Sequence, residues 1–125
     1  MMQNMLTMVM VSDMERSVRF YRDVLGLQLR FQSPDWTEFE AGGTTLALHG
    51  GGKPGLHQGQ EQLAGTASIG FNVDNVDTVY ENLKSKGARP VIPPTERQGE
   101  GIRLAVFLDP DGLAISFAQT VPEPK

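Results

Sequence analysis

The chain carries two imidazoles, His49 and His57, and no cysteine. Thiolate metal sites, cysteine nucleophiles and disulfides are therefore excluded, while the redox compartment stays undetermined. Histidine, carboxylate and serine remain as the groups able to do acid–base, metal or nucleophilic chemistry. His49 closes the apolar run Thr44 to His49 and lies two residues after Ala47, so strand alternation puts both on one face. There it can contact a bound molecule, act as a base, or join Glu38 or Glu40 around a metal; the plainer reading is a solvated strand end. A catalytic metal needs about three good protein ligands and an open position. His57 lies in a Gly-rich stretch and reads as solvated.

Ser68 and Ser116 are candidate nucleophiles, with His49 as base. However, Gly65-Thr-Ala-Ser-Ile-Gly70 places its serine one residue late for a Gly-x-Ser-x-Gly elbow, and no helix follows. Small polar groups lining a pocket are the simpler reading of both. The run Gly50-Gly-Gly-Lys-Pro-Gly55 resembles a phosphate loop only superficially, since Pro54 stands where a Ser or Thr would reach magnesium.

The elements that must position these groups form a repeating pattern. Residues 5 to 11 are an unbroken apolar run that predicts a strand. Ser12 and Glu15 have capping-box spacing, and Met14, Val18, Tyr21 and Leu25 recur on one helical face until Gly26 stops the helix. Strands follow at Leu27 to Phe31, Thr37 to Glu40 and Thr44 to His49. Residues 50 to 65, with six glycines and Pro54, suit a linker or a mobile loop over a site. The pattern then restarts: a strand Ala67 to Val73, a cap at Asp74, a stripe Val76, Val79, Tyr80 and Leu83, and a stop at Gly87. Strands at Arg89 to Ile92, Arg103 to Leu108 and Leu113 to Ala118 complete it, with a turn-rich loop after the first and a frayed tail, residues 120–125.

Val11 falls on Val73 at a shift of 62, whereas Val18 falls on Val79 and Gly26 on Gly87 at a shift of 61. One residue is thus gained or lost near the start of the helix. The expected architecture is a single α+β domain over residues 1–125, with modules at about 4–50 and 66–119. Its two βαβββ modules make one curved, eight-stranded mixed sheet with a concave cleft.

Composition bounds the partners. Eleven basic against fifteen acidic residues give a net charge of −4 with signs interspersed, which argues against nucleic acid. The apolar start lacks a basic leader and reads as a first strand rather than a signal peptide. No run reaches the roughly eighteen apolar residues of a membrane span, so no membrane partner and a cytoplasmic location are the default expectations.

Three pieces carry a family resemblance: Val11-Ser-Asp-Met-Glu-Arg-Ser-Val-Arg-Phe-Tyr21 with Val24-Leu-Gly26, then Val73-Asp-Asn-Val76, then Phe107-Leu-Asp-Pro-Asp-Gly112. With the module order, they resemble the vicinal oxygen chelate superfamily, which includes glyoxalase I, extradiol dioxygenases, fosfomycin-resistance enzymes and bleomycin-resistance proteins. The resemblance implies a homodimer and, in the metal enzymes, His and Glu ligands from the first, fourth, fifth and eighth strands. Those positions correspond here to Leu6, Ala47, Ser68 and Ser116. None is a ligand that zinc, nickel or ferrous iron prefers.

The cleft-facing set expected from this register includes Met8, Met10, His49, Ser68, Asn72 and Ser116. Trp36 joins it if it faces inward, where it can stack on a planar guest; alternation pairs it with Glu38 without saying which face is inward. The methionines either adapt to a guest or pack the core. The favoured function is a metal-independent binder of a small organic molecule, a drug or metabolite, with no cofactor. The alternatives are a lyase or dioxygenase with an atypical metal site, and a scaffold that has lost its site.

Overall fold

The structure is a computed structural model that describes residues 2–54, 64 and 67–122. In chain order it contains β1 (Leu6–Met10), α1 (Met14–Arg19) running into a π-helical turn (Phe20–Val24), β2 (Gln28–Gln32), β3 (Trp36–Ala41) and β4 (Thr44–His49). There follow β5 (Ile69–Asn72), α2 (Val76–Ser85), β6 (Arg89–Arg97), β7 (Ile102–Leu108) and β8 (Ala114–Thr120). The expected α+β pattern of two βαβββ modules is present. The modules fall in two compact units, Met1–Leu56 and His57–Lys125. Each has its own four-stranded mixed sheet, ordered β1-β4-β3-β2 in the first and β5-β8-β7-β6 in the second. Among the described residues, no helix is long and apolar enough to cross a membrane.

In the first unit, one face of the sheet is closed by α1 and the π turn. Val9, Leu46, Leu48, Thr37 and Phe39 are buried on that face beneath Val18 and Tyr21. The Tyr21 and Phe39 rings lie 6.2 Å apart, and the Thr37 hydroxyl reaches Met14 Sδ at 3.3 Å. In the second unit, Tyr80 of α2 sits 5.3 Å from Phe107, and Phe107 meets Phe117 edge-on. Burying one such ring contributes roughly 1.5–3 kcal/mol. Val76 N–H donates to Gln119 Oε1 at 2.9 Å, tying the start of α2 to β8.

Both helix caps sit one residue beyond the positions expected from the sequence. Asp13, not Ser12, caps α1 by accepting from Arg16 N–H, and Asn75, not Asp74, caps α2 by accepting from Thr78 N–H. Each cap residue takes an extended backbone near φ −142°, which brings its side-chain oxygen over the first turn. Ser12 instead accepts from the Arg16 guanidinium at 3.0 Å.

The one-residue offset between modules also lies elsewhere. Asp13 and Asn75 cap at a shift of 62, and buried Tyr21 and Leu83 keep that shift, while Gly26 and Gly87 are related by 61. The surplus residue is therefore in the exit, where Leu25 N–H reaches Phe20 O in an i→i−5 bond. A π turn is how a helix absorbs an inserted residue without changing phase at both ends. At a shift of 62, Ser17 corresponds to Val79. Its hydroxyl is fully buried and has no hydrogen-bond partner.

The turn before β8 is held by its own side chain. Asp109, fully buried, accepts through Oδ1 from Asp111 N–H at 2.9 Å and Leu113 N–H at 2.8 Å. Gly112 has φ +92°, open to glycine at little cost. Strand β6 runs past the expected loop at Pro93-Pro94, with register shifts on either side of Ile92. Prolines are tolerated in an edge strand, where outward N–H groups have no ladder partner, and at register irregularities, where inward ones can lack one too. Val121 N–H bonds to Gly101 O at 2.9 Å, so the expected fraying does not begin there; residues 123–125 lie outside the described residues.

Much of the expected linker, including His57, also lies outside them. Its first residues are docked rather than loose. Gly50 N–H bonds to Asp35 O and Gly52 N–H to Val11 O. A Cβ on Gly50 would stand 2.8 Å from Pro34 O, and one on Gly52 3.0 Å from Val11 O. The glycines permit close backbone approach.

Candidate functional site

The face of the first sheet opposite α1 is the candidate site. Cross-strand register builds it in rows, because residues directly opposite in a ladder share a face. Met10, His49 and Trp36 form one row; Met8, Ala47, Glu38 and Phe31 form the next; Leu6, Thr45 and Glu40 form the third. Leu6, Met8, Met10 and Phe31 are each about half exposed, at 48–53%. Thr37 and Phe39 face the helix, so Trp36 and Glu38 face the opposite way, beside His49. That settles which of the two alternating sets on β3 belongs with the site.

The polar groups of Trp36, Glu38, His49, Arg30 and Glu40 on this face are held. Trp36 Nε1–H donates to Glu38 Oε2 at 2.7 Å, and the indole meets the His49 ring edge-on with centroids 6.0 Å apart. His49 Nδ1 lies 2.6 Å from Gly50 O. A carbonyl only accepts, so Nδ1 carries the hydrogen, and in the neutral ring Nε2 is the free lone pair. At the far row, Arg30 forms an ion pair with Glu40 and reaches Thr45. The Gly43 N–H, and next the Arg30 guanidinium, hold the Glu40 carboxyl below its ordinary range.

Sequence reasoning missed Phe31 and Arg30 as members of this face. A register irregularity between Leu29 and Phe31 breaks the simple alternation of β2, so period-two counting could not place them. The opposite charges of Arg30 and Glu40 on neighbouring strands were the available signal.

The remaining candidates lie in the second unit. Ser116, Gly70 and Val106 form one row, and Asn72, Ala118 and Leu104 the next, on the face turned away from α2. Ser116 Oγ stands 3.0 Å from where a Cβ on Gly70 would be, so the serine occupies space the glycine leaves. Asn72 is exposed, as is Ser68, which falls just before β5 rather than within it.

Residues 5–117 match the model of the Glyoxalase/Bleomycin resistance protein/Dioxygenase superfamily. The chain belongs to this superfamily. It is 32% identical over 111 residues to the uncharacterised protein YraH of Bacillus subtilis, covering 82% of this chain and 87% of that one. It is 29% identical to the lactoylglutathione lyase of Haemophilus influenzae, covering 94% and 93% of the two chains. The solved structure of a glyoxalase/bleomycin resistance protein/dioxygenase from Nocardioides matches at a TM-score of 0.75 and 26% identity, covering all of this chain and 87% of that one.

At the positions that the resemblance assigns to metal ligands, the side chains present suit zinc, nickel or iron poorly. Leu6 and Ala47 offer no donor atom, and Ser68 and Ser116 offer neutral hydroxyls, poor ligands for those ions. Among the described residues, no three His, Asp or Glu side chains converge into a group able to hold a metal ion.

Proposed function

We propose that this superfamily member binds a small organic molecule on the open face of its first sheet, without a metal at the superfamily's usual positions. The observation that carries this reading is the composition of the face. Two half-exposed methionines and Phe31 surround the small Ala47, and Trp36, Glu38 and His49 supply an aromatic plane, a fixed carboxylate and an imidazole lone pair. Mostly apolar lining with a few placed polar groups is the usual make-up of small-molecule sites. Methionines reshape around irregular guests. A homodimer belongs to the same reading, since Leu6 and Phe31 leave apolar area that a second copy would cover.

A thermal-shift screen of drugs and aromatic metabolites on metal-free protein tests it. A ligand that binds only the folded state raises the midpoint, by about 2.7 kcal/mol of stability at a hundredfold excess over Kd. The hit should lose its effect with Trp36→Ala. A hit that binds Trp36→Ala equally well places the guest elsewhere and overturns the reading. The lyase alternative draws on the names of relatives near 29% identity. Lactoylglutathione formation that depends on added zinc, nickel or ferrous iron would favour it over binding alone.

A further inference from the structure

The open face of the first sheet also gathers soft donor atoms. Met8 and Met10 lie two apart on β1, share a face, and are 50% and 48% exposed. Alternate residues on a strand are about 6.5–7 Å apart, and a thioether arm has three rotatable bonds. Both sulfurs can therefore turn onto one point between them. Strand β4 runs parallel alongside, with His49 the register partner of Met10 and Ala47 that of Met8. Adjacent strands are about 4.8 Å apart, so His49 lies directly beside Met10 and diagonally from Met8, and Ala47 adds only a methyl group among them.

The imidazole is arranged as a ligand. Metal-binding histidines characteristically give their second ring N–H to a backbone carbonyl or carboxylate, which fixes the ring and frees the other nitrogen. His49 does this through Nδ1 and Gly50 O at 2.6 Å, leaving Nε2 as the donor. Glu38, the β3 partner of Ala47, is held near this row by its bond to Trp36. Its carboxylate supplies negative field while the three ligands themselves are neutral.

Two thioethers and one imidazole form a soft, neutral donor set. Zinc, nickel and ferrous iron prefer thiolate, imidazole and carboxylate, whereas thioether sulfur selects copper(I). We propose that Met8, Met10 and His49 form a binding site for copper(I), a soft monovalent cation, with Trp36 bordering the imidazole. The site draws on sulfur lone pairs, whereas an organic guest would meet the same methionines through their apolar surface.

Titrating the full chain tests this, with copper(I) supplied anaerobically from its bicinchoninate complex and silver(I) as a soft surrogate that needs no reductant. Trp36 is the chain's single tryptophan, so its fluorescence reports binding beside His49. The expected result is one equivalent bound, with quenching of Trp36. Met8→Leu with Met10→Leu should weaken binding about 100-fold or more, and His49→Ala about tenfold or more, given that ligand loss exceeds the 10–100-fold typical of outer-shell changes. Met5→Leu, at an 81% exposed residue before β1, should leave it unchanged.

Leucine keeps the apolar area of methionine, so the double variant should remain folded, with little change in its denaturation midpoint. Loss of copper(I) and silver(I) binding by the folded double variant supports the site. Absence of stoichiometric binding by the unmodified chain overturns it, as does binding indifferent to the double variant. In either case an organic hit that depends on Trp36 still stands, so the two readings fail separately.

Discussion

The indole N–H of Trp36 donates to the Glu38 carboxylate over 2.7 Å, between alternate residues of one strand. This bond orients the chain's single tryptophan and commits one oxygen of the carboxylate nearest Ala47. Glu38→Leu should free the indole, change its emission and weaken a Trp36-dependent guest, whereas Glu38→Gln should largely preserve both because an amide oxygen still accepts. Both residues are part-exposed, so the stability change should stay within about 1 kcal/mol. Emission spectra and chemical denaturation check the two effects separately.

Ser116 and Gly70 share one space on the second sheet. Gly70→Ala alone brings Cβ to 3.0 Å from Ser116 Oγ, and the serine must give way, costing up to about 1 kcal/mol. With Ser116→Ala present, the same change should be neutral or stabilising by about 0.5 kcal/mol, because alanine reduces unfolded-state freedom. A double-mutant cycle reads the coupling; strict additivity would show that the two side chains do not compete.

Gly52 faces a harder neighbour. A Cβ there meets backbone atoms of Val11 at 3.0–3.2 Å, and backbone cannot rotate away. Gly52→Ala should cost about 1–3 kcal/mol and lower the melting temperature, while Lys53→Ala, at an exposed neighbour, should change it little.

Acid sensitivity follows from two carboxylates. Glu40 is lowered by the Gly43 N–H and then Arg30; Asp77 is lowered by its hydrogen bonds from Arg103, at 2.8 and 2.9 Å. A carboxylate with a lower folded than unfolded pKa stabilises the fold above the unfolded value, near 4, and loses that contribution as pH falls through the folded one. Stability should therefore decline below about pH 4 to 5, and Glu40→Gln with Asp77→Asn should flatten that decline. Denaturation midpoints between pH 6 and 3 measure it.

The order of elements could be read from the sequence because apolar runs of strand length alternate with helical stripes that end at Gly26 and Gly87. The caps could not be fixed to the residue. Ser12 beside Asp13, and Asp74 beside Asn75, offer cap chemistry at adjacent positions, and only the backbone bend selects one. Alternation pairs Met8 with Met10 on β1 and Ala47 with His49 on β4; putting the two pairs on one face took the family resemblance. Trp36 needed the cross-strand register, since alternation separates the two faces of β3 without saying which one the helix covers. The Gly50–Gly52 run was read as mobile because composition shows backbone freedom and cannot show the Val11 and Asp35 carbonyls that restrain it.

The three prolines of β6 have a consequence for assembly. Pro90, Pro93 and Pro94 fall in a nine-residue strand at the outer rim of its sheet. Successive N–H groups of a strand point to opposite sides, so the adjacent pair Pro93-Pro94 removes one donor facing β7 and one facing outward. With register shifts on both sides of Ile92, this rim is a poor template for a further strand. A second copy is thereby discouraged from lengthening the sheet at β6, which guards this rim against open-ended polymerisation.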